Sequence, residues 1–170
     1  MFYDHKLYIS KIADEFLNSK GWTATRILFN HSLWQGAYDF TDKTNDPELL
    51  NSVNTVKDII SRDPQTLSLL QPYIENVSPG DSIPIKLDQP QFESGDLYYS
   101  IQHADISGTV TKYPNGQWQA IINICDTYDF TKLRNPFTFS GLAYDMGKVL
   151  QMIGSMSVYD INISVTIAGE

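Results

Sequence analysis

One cysteine in 170 residues, Cys125, leaves no partner for an intrachain disulfide, so no crosslinked framework holds this chain. It ends an apolar, strand-like run and reads as a buried thiol acting as a small hydrophobe. Long apolar runs are missing too. No segment approaches the ~18–20 residues of a membrane-spanning helix, and the N-terminus lacks the cationic-then-apolar layout of a signal peptide. The chain as given is expected to be soluble. To work outside its own cell it would need a fused N-terminal region or a dedicated secretion system. Positive charge is scarce: 12 Lys and Arg face 20 Asp and Glu, for a net charge of −8, and the cations are scattered singly. Such a surface repels polyphosphate, which makes nucleic acid a poor first partner. No Cys-x-x-Cys, Walker-type or nucleophile-elbow pattern occurs, and the three histidines, His5, His31 and His103, have no metal-ligand spacing.

What is present is an ordinary packed globule's composition, 42% hydrophobic and 12% aromatic. A single domain over 1–170 is the simplest reading, able to bury roughly 70% of the surface its unfolded chain exposes. Residues 1–77 read as mainly helical. Ile9, Ile12, Ala13, Phe16 and Leu17 recur at helix spacing before "SKG". "TATRILFNHSLWQG" follows, with Thr23 placed to cap it and Gly36 to end it. Asp46-Pro47 and Asp63-Pro64 each pair a capping acid with a proline at the first helical position. The first opens a stripe of Leu49, Val53, Val56 and Ile60, the second one of Leu67, Leu70 and Ile74.

Residues 78–95, rich in proline and glycine, form a connecting loop with room for an edge strand at Ile83–Leu87. "DLYYSIQH" at 96–103 suits a short helix or a strand. "ADISGTVTKY" and "QWQAIINIC" flank "PNG" at 114–116, a hairpin cue, and Trp118, Ala120, Ile122 and Ile124 face one way. Phe139 to Ile153 carries a helical stripe ended by Gly154, and Tyr159, Ile161, Ile163, Val165 and Ile167 alternate with polar residues. The expected architecture is α+β: a helical N-terminal half packed on a C-terminal antiparallel sheet (96–170) of three or more strands, with one intervening helix.

The chemistry concentrates in "DTYDFTKLR", residues 126–134, where the second hairpin strand stops. If the strand stays regular, Asp126 and Tyr128 continue the Ile122 face and Asp129 points away. Convergence of the two acids needs a break near Asp126. At about 6 Å and an effective dielectric of ~20 they would repel by about 3 kcal/mol, roughly two pKa units. A shared proton, Lys132, Arg134, or a hard cation such as Mg²⁺ or Ca²⁺ held by Asp126 and Asp129 would offset that. Such a site suits oxyanion or phosphoryl chemistry. The alternative is a solvated acidic turn with Tyr128 packed as a hydrophobe.

His31, in the apolar "ILFNHSLW", reads first as a satisfied structural residue. Brought to the 126–129 corner, it would serve as general base, with His103 as a second choice and His5 a third. Trp22 and Trp34 read as packing residues. Tyr-Asp occurs five times, at 3–4, 38–39, 128–129, 144–145 and 159–160, and "YDFT" twice, at 38–41 and 128–131.

"HSL" after an amphipathic helix, "SGDLYYSIQHADISG", "DTYDFT", a Gly/Ala-rich helix and a closing "YDINI" strand together resemble C-terminal toxin domains of bacterial polymorphic toxins of the wall-associated or RHS type. A narrower stretch resembles the colicin M-type bacteriocins, Mg²⁺-dependent hydrolases of the lipid-linked peptidoglycan precursor lipid II. Asp126, Tyr128 and Asp129 match that family's aspartate, one residue, Tyr-Asp after a strand. The family's following His-Arg pair is only half kept: "TKLRNPF" supplies Arg134 and no histidine. The resemblance implies a delivered antibacterial effector acting at the target cell envelope, a cognate immunity protein, and a site of Asp126, Tyr128, Asp129 and Arg134. His31 or His103 would stand in for the missing base. A non-enzymatic module, membrane-active or protein-binding, is the alternative.

Overall fold

The computed structural model describes residues 2–34, 38–88, 92–93, 95–101, 104–128 and 156–170. The helix expected at 139–153 lies outside them. The first half is helical as the spacing implies: α1 (Phe2–Lys20), α2 (Thr23–Trp34), α3 (Pro47–Arg62) and α4 (Pro64–Asn76). Gly21 stops α1 at φ +71°, a conformation glycine adopts without steric cost, and Trp22 N–H returns to the Leu17 carbonyl at 3.0 Å. Asp46 accepts from the N–H groups of Glu48 and Leu49, and Asp63 from those of Gln65 and Thr66, with proline first in each helix. The α3 stripe of Leu49, Val53, Val56 and Ile60 is buried. α1 is peripheral: Leu17 is buried, but Ile12, expected on the inner face, is exposed, as are Leu7 and Tyr8.

Thr23 does not cap α2. It is the first helical residue, and the acceptor comes from 72 positions away. The Asp96 carboxylate takes Ala24 N–H at 2.6 Å and Thr25 N–H at 2.7 Å, and Thr25 Oγ1 donates to it as well. Asp96 sits in the first turn of α5 (Gly95–Ile101), so "DLYYSI" is helical and clamps the start of α2. A carboxylate on those orphan N–H groups also meets the positive end of the helix dipole.

Behind the helices lies a five-stranded sheet in the order β1-β5-β4-β3-β2, from β1 (Phe40–Thr41), β2 (Ser82–Leu87), β3 (Asp105–Lys112), β4 (Trp118–Tyr128) and β5 (Tyr159–Gly169). The fold is α+β, but the sheet is mixed rather than antiparallel, because β1 pairs parallel to β5. Two residues carry no readable alternation; the tertiary structure alone makes them a strand. The expected hairpin joins β3 and β4, with Gly116 at φ +90° in its turn. Alternation in β5 is as expected, Tyr159, Ile161, Ile163, Val165 and Ile167 all lying inside.

Both sides of the sheet are finished by side chains. At β2, Tyr73 Oη donates to the Lys86 carbonyl at 2.8 Å, and Pro84 contributes no N–H. Where β1 ends on the other side, the Asp42 carboxylate accepts Ser164 N–H at 3.0 Å and contacts Lys57 Nζ at 3.4 Å.

Candidate functional site

β4 runs on beyond its aliphatic stretch and stays paired with β5 to its last residue, with Asp126 opposite Ile161 and Tyr128 opposite Tyr159. The strand therefore does not break at Asp126. Its even-numbered residues face the helices: Ala120, Ile122 and Ile124 are fully buried, Tyr128 is 7% exposed, and Asp126 is half-buried. Cys125, of opposite parity, is exposed on the outer face, with its thiol 4.0 Å from Asn162 Oδ1. The expected burial of that thiol is corrected by the same alternation that buries its neighbours. Thr127 also faces out, and its hydroxyl bonds Asp160 at 2.9 Å.

The helix-facing end of β4 and β5 lies against α2. His31 is 4% exposed, and its Nε2 lies 2.8 Å from the Tyr38 carbonyl. A carbonyl only accepts, so Nε2 carries the hydrogen and Nδ1 is the nitrogen able to take a proton. The imidazole meets Tyr159 edge-on at 4.4 Å between centroids and Phe40 at 5.4 Å. Tyr159 in turn stacks on Tyr128 at 5.2 Å with 23° between planes. Its hydroxyl donates to the Leu28 carbonyl of α2 at 2.8 Å. Burial, then the neighbouring Tyr128 and Asp126, hold the Tyr159 phenol well above its ordinary pKa. Next to this cluster, Ser32 and Ser157 exchange two hydrogen bonds, the Ser32 hydroxyl to the Ser157 carbonyl at 2.7 Å and Ser157 N–H to the Ser32 carbonyl at 3.0 Å. "HSL" thus ties α2 to the start of β5.

Of the expected site residues, the fold gathers His31, Asp126 and Tyr128 at one corner. The contacts of His31 are those of a packed, hydrogen-bonded histidine. Asp129, Arg134 and His103 lie outside the described residues. Trp22 packs edge-on against Phe16, whereas Trp34 is 40% exposed. No group of three or more His, Cys, Asp or Glu able to hold a metal occurs among the described residues. Asp126 is the described member of the expected metal pair. Sequence reading missed Tyr159, Phe40 and Asp96 as members or supports of the corner. A signal existed: the tyrosines of three of the five Tyr-Asp pairs meet there, Tyr38 through its carbonyl and Tyr128 and Tyr159 through their rings.

No protein-family model matches the chain, and no curated protein matches its sequence. The resemblance to polymorphic-toxin tips thus gains no support. Among solved structures the chain is similar to PaeM, a colicin M-like bacteriocin produced by Pseudomonas aeruginosa. Identity is 19% and the TM-score 0.33, over 87% of this chain and 51% of PaeM, so the chain spans about half the length of that protein. Among the described residues no helix is long and apolar enough to cross a membrane.

Proposed function

We propose that the chain is an antibacterial toxin domain that hydrolyses a phosphoester of the cell envelope, of the kind found in a lipid-linked precursor. The observation that carries the reading is the Asp126-x-Tyr128-Asp129 sequence at the end of β4, with Asp126 and Tyr128 on the helix-facing side near His31. In this reading Asp126 activates the attacking water, and Asp129, one residue past the end of β4, is the second acid of the motif. Tyr128 orients the substrate, and Arg134 offsets the charge that develops on the phosphate. Water adds to phosphorus, the ester oxygen leaves, and a histidine, His103 or His31, returns the proton to it. An immunity protein would protect the producing cell.

The test is growth inhibition on export of the chain to the periplasm of a susceptible bacterium. Asp126→Ala and Asp129→Ala should each abolish it while circular dichroism and the thermal midpoint stay unchanged. If both variants remain as toxic as the unaltered chain, the hydrolase reading is wrong. A second reading rests on the outer face of α1, where Leu7 is 56%, Tyr8 67% and Ile12 44% exposed. Such a face suits a membrane-active or protein-binding effector without enzymatic activity. Dye leakage from substrate-free liposomes, undiminished by the aspartate changes, would favour it.

A further inference from the structure

We propose that Tyr159 is a positioning residue of this site, fixing the Tyr128 ring by a stack from below and a hydroxyl tie to α2. The effect on turnover rests on the hydrolase reading; the geometry does not. Tyr128 and Tyr159 form the last register pair of β4 and β5 among the described residues, which sets their rings side by side on the helix-facing side of the sheet. Their 5.2 Å, 23° arrangement leaves the other surroundings of Tyr159 to His31 at 4.4 Å and Phe40 at 6.5 Å. Tyr128, itself 7% exposed, thus stacks on a 4% exposed ring.

The hydroxyl is what distinguishes Tyr159 from a filler. The other inward residues of β5 are Ile161, Ile163, Val165 and Ile167, and an apolar ring would fill this position without desolvating a polar group. The phenol is retained, and its oxygen is satisfied by the Leu28 carbonyl at 2.8 Å. A phenol keeps its proton at neutral pH, so this hydroxyl donates to that carbonyl. That one bond connects the ring column to the backbone of α2, three residues before His31. Any rotation of Tyr159 would therefore move Tyr128 and the imidazole edge together.

The experiment compares the unaltered chain with Tyr159→Phe, both labelled with 3-fluorotyrosine. The chain has ten tyrosines, and Tyr128→Phe identifies the resonance of residue 128. Tyr159→Phe should shift or broaden that resonance, and should lower turnover of the lipid-linked substrate on the order of ten- to a hundredfold with KM nearly constant. An unmoved resonance overturns the proposal. A moved resonance in a protein that hydrolyses nothing, or whose Asp126→Ala form stays toxic, supports the positioning role and removes the hydrolase reading. Should Tyr159→Phe fail to fold, the ring-flip rate of Tyr128 in the unaltered chain decides: slow flipping supports the column, and free flipping overturns it.

Discussion

The inner face of β4 and β5 changes character along its length. At one end the cross-strand pairs are Ala120 with Ile167, Ile122 with Val165 and Ile124 with Ile163, all buried and all aliphatic. At the other end the pairs are Asp126 with Ile161 and Tyr128 with Tyr159, under a helix that contributes His31. The aliphatic end gains free energy from every side chain it removes from water, about 1.5–3 kcal/mol for each fully buried residue. The polar end spends part of that gain desolvating a phenol and an imidazole, and then needs partners for each. A stability optimum would continue the isoleucines. Departure from that local rule at one corner marks where function is to be sought.

Substitutions at the two ends should therefore behave differently. Ile122→Ala, in the aliphatic end, should cost about 2–5 kcal/mol, read as a lower urea midpoint at constant m-value. A loss below that range would mean that the core collapses around the gap. Asp96→Ala should cost about 1–2 kcal/mol, since it strips the start of α2 of its acceptor, and it should loosen the helix over the polar end first. Amide exchange at Ala24 and Thr25 should rise more than at Ile122; equal rises would erase the distinction between the ends.

Among the described residues, the polar end contributes to the alkaline limb of stability through Tyr159. The pKa of Tyr159 is raised in the folded protein, so above the unfolded value near 10 the folded state holds the extra proton. Its contribution is complete below pH ~10 and is lost above it, with a slope of about 1.4 kcal/mol per pH unit. Tyr159→Phe should flatten that limb; a limb as steep as before would assign it to other groups. The smallest effect belongs to the outer face, where Cys125→Ser should change stability by no more than about 0.5 kcal/mol.

Much of the fold could be read from the chain because its signals are local. Asp46-Pro47 and Asp63-Pro64 start helices by fixing φ and accepting nearby N–H groups, and both do so here. Alternation from Tyr159 to Ile167 specifies a strand with one wet face, and β5 is that strand. The misses share one cause, that the partner is distant in sequence. Thr23 looks like a cap, but the acceptor belongs to Asp96. Phe40–Thr41 has no period, yet β5 recruits it as a parallel strand. Parity in a regular strand puts Asp126 and Tyr128 on the Ile122 side, as found, and the same parity puts Cys125 outside despite its apolar neighbours. Tyr159 was legible as buried, but alternation alone does not reveal which carbonyl a buried hydroxyl reaches.

The Tyr73 hydroxyl on Lys86 and the Asp42 carboxylate on Ser164 also bear on how copies of this chain meet one another. An incoming strand from another molecule would first have to displace a bonded phenol on one flank or a charged acid on the other. The flanks of this sheet therefore resist recruitment into fibrils without any covering subunit.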